Sequence, residues 1–442
     1  MSADRHDRTP APTGSSVGGR FPPRHGDAPT GKLTPEDPRP IPVAPLEHET
    51  LEWRPRAPEM YSRAEVTRQI GTYDATVTVP ITPQRIEISS ADASDIEEAS
   101  RALVDFDNHA RMLLGADSPA LGPMSAVLLR TESASSSQIE QLTTSAKQLA
   151  LAEIDEGAKR NATLVVGNVR AMEAALALSD RIDVDSILAM HAELLRRDDT
   201  LAEHSGKFRE EAVWIGGDNA GPIGAEFIAP HHRLVPAAVD DVVAFTRRSD
   251  VPALAQVAIA HAQFETIHPF VDGNGRTGRA LAQALIRRYG LATHTTVPIS
   301  AGLLVNTRSY FDALGAFRDG DAGPIVRRFA DASRYAAGTG RVLVDELAGE
   351  LETSRQAMSG VRAHSRAWEV LPRLIGQPIV NLGYLRETLD MQPTTALRAL
   401  DTLTERGVLV ERTGASRNRV WEHRGVLSAL DGYAERIRRT GR

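Results

Sequence analysis

The chain of 442 residues contains no cysteine. Disulfides, thiolate metal sites and cysteine nucleophiles are therefore excluded, and the composition fits a reducing, cytoplasmic setting. Aromatic residues are sparse, at 5%. No apolar run approaches the ~20 residues of a spanning helix, so no membrane partner is expected. The opening stretch, MSADRHDRTPAPTGSS, lacks the apolar centre of a secretory signal. A net charge of −7 excludes a protein that coats nucleic acid over its whole surface, while leaving room for a local basic patch. What is present is ordinary for a globular protein, 41% hydrophobic and 25% charged. The length suggests roughly two to four domains of ~100–200 residues each.

Residues 1–50 hold ten of the 26 prolines and almost nothing to bury, which predicts a disordered tail. Residues 58–160 predict a helical domain, with Ile96, Ala99, Leu103 and Phe106 at helical spacing and a second helical block from Met124 through Ala152. Within 206–236, two short β-type runs, Val213–Ile215 and Glu226–Ile228, flank a Gly/Asn/Pro loop and predict a hairpin. Helical periodicity resumes at Ala237 and extends to about 372, with 336–370 read as a connecting helix. Strands and helices do not alternate between 58 and 340. The fold class expected is mainly α, with one hairpin in the helical core and a C-terminal helix-turn-helix followed by two strands.

The stretch HPFVDGNGRTGR, His268–Arg279, spells G-x-G-x-x-G at Gly273, Gly275 and Gly278. A dinucleotide fingerprint needs a preceding strand and an acidic residue ~20 positions later. The preceding segment instead puts Leu254, Val257, His261 and Phe264 on one helical face, and 276–311 contains no Asp or Glu. Glu265-x-x-His268 resembles half of a di-iron site, but the chain has no second E-x-x-H, and His261 reads as a hydrogen-bonded histidine on a buried face. What remains is a helix ending at His268, a tight turn, and a helix starting near Gly275. Such a helix N-terminus directs backbone N–H groups and positive potential into the turn. Gly273 and Gly275 admit phosphate oxygens, and Arg276 and Arg279 can grip further phosphates. Asp272 suits a Mg²⁺ ion shared with substrate phosphates. His268 at the rim is a candidate general base. The constellation reads as polyphosphate, Mg²⁺ and a base.

These residues resemble the active-site motif of the Fic proteins, H-P-F-x-[D/E]-G-N-G-R-x-x-R, with no departure. The resemblance extends over about 160–335, so 161–335 is expected to be a Fic catalytic core, including GKFR…VWIGG before the motif and RSYFDAL after it. It implies Mg²⁺-dependent transfer of AMP from ATP to a Ser, Thr or Tyr hydroxyl of a target protein. By it, His268 deprotonates the hydroxyl, Asp272 holds Mg²⁺, and Gly273, Asn274 and Gly275 form the anion pocket. Arg276 and Arg279 bind the outer phosphates, with Asn274 and Arg276 counted beside His268 as catalytic, while Phe270 packs inward. The hairpin corresponds to the family's flap, which adds a target segment as a strand, with Phe227 and Ile228 as clamp candidates. Relatives of the Doc type, which phosphorylate, carry lysine in the anion loop. Gly275 here favours AMP transfer.

Many Fic proteins also carry an inhibitory helix with the pattern [S/T]-x-x-x-E-[G/N]. SASSSQIEQL offers Ser136 and Glu140 one helical turn apart, with Gln141 departing from the Gly or Asn expected. The implied brake pairs Glu140 with Arg279. Residues 371–442 look like a winged helix-turn-helix, with Thr394–Glu405 as recognition helix and RTGASRNR as wing. The stretch 381–442 has eleven Arg against eight Asp and Glu. Arg398, Arg412, Arg417 and Arg419 are candidate DNA contacts, and docking or dimerisation is the alternative use of such a module. The competing functions are a DNA-binding regulator with a nucleotide-sensing Fic-like domain, and a Doc-type phosphotransferase. A homodimer is compatible with either.

Overall fold

The computed structural model describes residues 39–115, 118–157, 159–412 and 419–441. The tail expected for 1–38 and the candidate contact Arg417 lie outside them. The first described elements differ from expectation. Residues 39–50, assigned to the tail by their prolines, are packed: Ile41 is fully buried and its amide donates to Asp321 Oδ1 at 2.9 Å. Strand β1 (Glu47–Trp53) then pairs antiparallel with β2 (Gly71–Val77), Glu47 opposite Val77 and Trp53 opposite Gly71. This second hairpin, within a region read as helical, was hidden because EHETLEW alternates too weakly to stand out from its charged surroundings. Between the strands lies α1 (Arg63–Arg68), opened by a capping box in which Ser62 and Glu65 exchange hydrogen bonds.

Helix α2 (Ser90–Leu114) buries Ile96, Ala99, Leu103 and Phe106, the stripe read from the sequence. The block expected from Met124 through Ala152 is two helices, α3 (Leu121–Ile139) and α4 (Ala146–Glu153), broken at 140–145. Then follow α5 (Arg160–Ala177) and α6 (Val184–Leu195). The expected flap is a two-residue ladder, β3 (Trp214–Ile215) on β4 (Phe227–Ile228). Helices α7 (Val235–Phe245), α8 (Ala253–Ile267) and α9 (Asn274–Arg288) complete the site's surroundings. Helix α8 is the centre of the core, buried at every position from Leu254 to Ile267. Its polar side chains are buried with the rest, and Gln256 and Gln263 meet backbone carbonyls, Phe245 at 2.6 Å and Val79 at 3.1 Å. At Gly278 a Cβ would come within 2.8 Å of Glu265 Oε1, so the absent side chain lets α8 and α9 lie close.

Helices α10 (Ile299–Val305), α11 (Thr307–Arg318) and α12 (Gly323–Ala357) pack around α8 and α3. The boundary expected at 335 falls inside α12, which is one continuous helix of 35 residues. Beyond it come α13 (Ala367–Val370), α14 (Arg373–Gly376), β5 (Ile379–Asn381), α15 (Leu382–Leu389), α16 (Pro393–Glu405), β6 (Val410–Glu411), β7 (Val420–Glu422) and α17 (Arg424–Thr440). The three strands form a sheet in the order β5-β7-β6, antiparallel throughout. No helix among the described residues is long and apolar enough to cross a membrane.

Candidate active site

The site begins where α8 stops. His268, its C-cap, sits in the left-handed region at φ 51°, an uncommon conformation for a residue with a side chain. Arg209 holds it there. This buried guanidinium donates from Nε to the His268 carbonyl at 2.7 Å, from Nη1 to the Glu211 carbonyl at 2.8 Å and from Nη2 to the Pro230 carbonyl at 2.5 Å. One side chain thus ties the end of α8 to both sides of the flap. Burial pushes its pKa down to about 10, which leaves it charged at neutral pH.

His268 Nδ1 lies 3.2 Å from the Glu265 carbonyl, which can only accept, so Nδ1 carries the proton and Nε2 is left as an acceptor. Burial, with the Arg209 and Arg318 cations nearby, pushes the His268 pKa down to about 4. The ring is therefore neutral near pH 7.

The turn after His268 is built by contacts the motif does not display. Both ends of the Asn274 amide are spent on Phe270: Oδ1 accepts from the Phe270 amide at 2.8 Å, and Nδ2 donates to its carbonyl at 2.9 Å. The side chain of Asn274 therefore shapes the loop, which leaves only its backbone N–H for a ligand. Phe270 is fully buried and stacks on His191 of α6, with ring centres 3.7 Å apart and planes at 2°. The Gly206 amide donates to His191 Nδ1 at 3.1 Å, so Nε2 bears the proton and donates to the Asp272 carbonyl at 3.0 Å. Burial pushes His191 down to about 4, and it stays neutral in that role. Gly273 caps α9 at φ 79°, where a Cβ would meet Leu194 Cδ2 at 2.6 Å. The left-handed φ favours glycine, and any side chain would also have to displace the Leu194 methyl.

On α9, Arg276 and Arg279 are both buried, and both meet Glu140. Arg279 Nη2 lies 2.6 Å from Glu140 Oε1, and Arg276 Nε lies 2.8 Å from Oε2. Arg276 Nη2 also reaches Asp272 Oδ2 at 2.7 Å. Ser136 completes the contact: its hydroxyl accepts from Arg279 Nε at 2.8 Å and its carbonyl from Nη2 at 3.0 Å. Burial opposes the Arg279 cation, but the Glu140 carboxylate outweighs it and raises its pKa. Gly275 gives this carboxylate its space, since a Cβ there would lie 2.4 Å from Glu140 Oε1.

Glu140 is the C-cap of α3. The helix ends with the Gln141 amide donating to the Gln138 carbonyl at 2.9 Å and the Leu142 amide to the Ser137 carbonyl at 3.0 Å, a Schellman closure. That closure puts Gln141 at φ 63°, which explains why Gly or Asn suits this position. A stripe at four-residue spacing docks α3. Glu132, one turn before Ser136, accepts from the Ser300 amide at 2.8 Å and hydroxyl at 2.7 Å.

The position of His261 agrees with its reading as a core histidine: it is fully buried, with Nε2 2.8 Å from the Tyr310 hydroxyl. Beside it, burial pushes Glu265 up to about 7. Among the described residues no group of three His, Cys, Asp or Glu gathers to hold a metal.

Residues 181–286 match the Fic/DOC family. The chain carries a Fic/DOC family domain. Similar to it is the protein adenylyltransferase fic-1 of Caenorhabditis elegans, 29% identical over 176 residues, covering 40% of this chain and 30% of the relative. The protein adenylyltransferase Fic of Drosophila melanogaster is 29% identical over 165 residues, covering 37% and 31%. The chain thus spans under a third of the length of these curated relatives. A solved Fic family protein from Desulfovibrio desulfuricans G20 matches at 21% identity and a TM-score of 0.48, over 78% of this chain and 98% of that one.

Around the Fic domain, other candidates are distributed unevenly. Phe227 is turned inward, its ring stacked 3.7 Å under the Arg318 guanidinium. Ile228 is partly buried and its carbonyl accepts from Thr76 Oγ1 at 2.9 Å. The exposed apolar side chain of the ladder is Ile215, on the facing strand. Behind the ladder, Trp53 of β1 meets Trp214 edge to face at 5.5 Å and donates from Nε1 to the Ala220 carbonyl at 3.1 Å, so the unpredicted hairpin buttresses the flap. In the C-terminal module Arg398 and Arg412 are exposed, whereas Arg419 is spent on Glu411, with Nε–Oε1 at 2.9 Å, and lies over the Trp421 ring.

Proposed function

We propose that the Fic domain transfers AMP from ATP to a Ser, Thr or Tyr hydroxyl of a protein target, and that Glu140 holds this activity in check. The observation that carries the reading is the neutral His268, its Nε2 left as acceptor beside the uncapped N-terminus of α9. The names of the matched relatives agree with it. In the reaction the hydroxyl oxygen attacks the α-phosphorus, its proton passes to Nε2, and the bond to the β-phosphate oxygen breaks to release pyrophosphate. Backbone N–H groups from Asn274 onward, with Arg276 and Arg279 once freed, receive the phosphate oxygens. The arriving negative charge raises the His268 pKa, which strengthens the base when substrate is bound.

Asp272 is a fitting magnesium ligand. Its carboxylate is about half exposed, with 48% of the side chain accessible, and Mg²⁺ takes one or two carboxylates and fills its remaining positions with water and phosphate. The ion would neutralise charge on the phosphates. The target segment lies along the flap, with Ile215 in place of Phe227 as the apolar contact.

The brake works by occupation. With Glu140 on both guanidiniums, the outer phosphates meet a carboxylate instead of cations. Intact-mass spectrometry of the Glu140→Gly protein after incubation with ATP tests the reading: an AMP adduct on itself or an added target supports it, and a bare phosphate adduct favours the Doc-type reaction. DNA binding is the weaker reading, because Arg419 already has a carboxylate partner.

A further inference from the structure

A cavity of about 770 Å³ lies behind the inhibitory helix, on the side of α3 away from Arg279. Its walls come from α3, the 140–145 loop, α4, the first turn of α5, and α17. Such a volume falls in the range of small-molecule sites. The wall has two characters. Val127, Leu149, Leu430 and Ile437 provide an apolar floor, while Lys159, Arg160 and Arg438 put cations at the mouth against the single carboxylate of Asp431. Arg130 adds a further cation, already paired with Glu153.

Three observations indicate that the cavity is built for an anion. Helix α5, of 18 residues, opens here with Lys159 as N-cap and no side chain capping its first amides. Two cations, Lys159 and Arg160, thus sit at the positive end of a helix dipole, an arrangement that costs stability unless an anion joins them. Independently, Ser135 is only 5% exposed and lines the cavity, and its hydroxyl makes no hydrogen bond among the described residues. Arg130 Nη1 and Gln148 Oε1, on the same wall, are also buried without partners. Buried polar groups are ordinarily satisfied, so these two orphaned atoms and the Ser135 hydroxyl are the donors and acceptors a bound molecule would meet.

We infer that this cavity binds a small organic phosphate: an apolar body against α3 and α17, and a phosphate at the N-terminus of α5 between Lys159 and Arg160. The site exists only while α3, the 140–145 loop and α17 are assembled. A ligand that binds this arrangement stabilises it by mass action. Resting on the reading of Glu140 as a brake, occupancy would then hold Glu140 on its arginines and lower AMP transfer.

The test uses the full chain and phenyl phosphate as probe, with phenol and inorganic phosphate as controls, in isothermal titration calorimetry at low salt. Saturable one-to-one binding is expected for phenyl phosphate, weaker for either control. The double variant Lys159→Glu/Arg160→Glu should weaken it at least tenfold. Both residues are exposed, so this variant folds, and its own melting temperature should rise because carboxylates now sit at the helix N-terminus. Arg276→Ala, at the active site, should leave phenyl phosphate affinity unchanged. No saturable binding, or binding lost in Arg276→Ala and kept in the charge-reversed variant, would overturn the assignment. Because binding is read without catalysis, it stands or falls independently of AMP transfer. Phenyl phosphate that binds yet slows transfer equally in the parent and in Glu140→Gly would overturn the coupling to the brake.

Discussion

Removing Glu140 should accelerate AMP transfer by an amount the contacts allow to be estimated. The carboxylate makes two charged contacts, 2.6 Å to Arg279 and 2.8 Å to Arg276, and is 29% exposed. The Arg279 contact is a hydrogen bond between charged groups, which contributes roughly 1.5–3 kcal/mol, and the Arg276 contact is an ion pair of comparable Coulombic size, so the gross interaction is about 3–6 kcal/mol. Desolvation of the three ions offsets about half of that, leaving about 1.5–3 kcal/mol that the outer phosphates must overcome. On this basis Glu140→Gly should raise the initial rate at subsaturating ATP by roughly 10- to 150-fold. Glu140→Gln, which keeps the shape and removes the charge, should fall between the two. The assay is the initial rate of AMP incorporation against ATP concentration, paired with calorimetric ATP affinity for each protein. A Glu140→Gly rate within about twofold of the parent, with ATP bound equally, would refute occupation as the brake.

Gln141→Gly should relieve the positive-φ cost at the end of α3, about 1 kcal/mol, and tighten the brake. Parent activity should drop about fivefold, with no change in the Glu140→Gly background; an equal drop in both would point to damage elsewhere. His191→Ala removes the Phe270 stack and two hydrogen bonds. It should cost about 2–4 kcal/mol in urea unfolding and slow transfer by more than ~10-fold in the Glu140→Gly background, with ATP affinity affected less. Unchanged kinetics would show that the turn does not depend on it. Stability should also fall in acid. His191 and His268 are held near 4 and His261 near 3, all from 6.5, so below pH 6.5 the unfolded chain takes up protons that the native state refuses. Glu265, raised from 4.5 to about 7, has the opposite sign and loses stability as pH rises across that interval, offsetting about one histidine. The urea midpoint should therefore decline from pH 6.5 to pH 4.5; a flat or rising midpoint would contradict the burial assigned to these rings.

The loop from His268 to Arg279 was legible because its chemistry is local: a helix stop, glycines and arginines within one turn of each other. Ser136 and Glu140 were legible only as a pattern, yet the partner of Glu140 is 139 residues away. The second partner, Arg276, was not foreseen, because the salt bridge depends on the side-chain geometry of α9. His191 and Arg209 left no usable signal. Their roles arise from packing against Phe270 and from the carbonyls that end α8, which no spacing in the sequence reports. The inward turn of Phe227 was unreadable for a similar reason, since alternation in a two-residue strand cannot say which side chain faces Arg318. The β1–β2 hairpin was missed because its strands are half exposed and rich in charge. The arginines of the C-terminal module were countable, but their partners were not.

The most direct test of the central claim is to supply ATP labelled at the α-phosphate, and separately at the γ-phosphate, to Glu140→Gly protein with Mg²⁺ and candidate targets. Protein label from the α-position alone, abolished by the further change His268→Ala, is the predicted result. Label arriving from the γ-position, or α-label that persists without His268, would contradict the account.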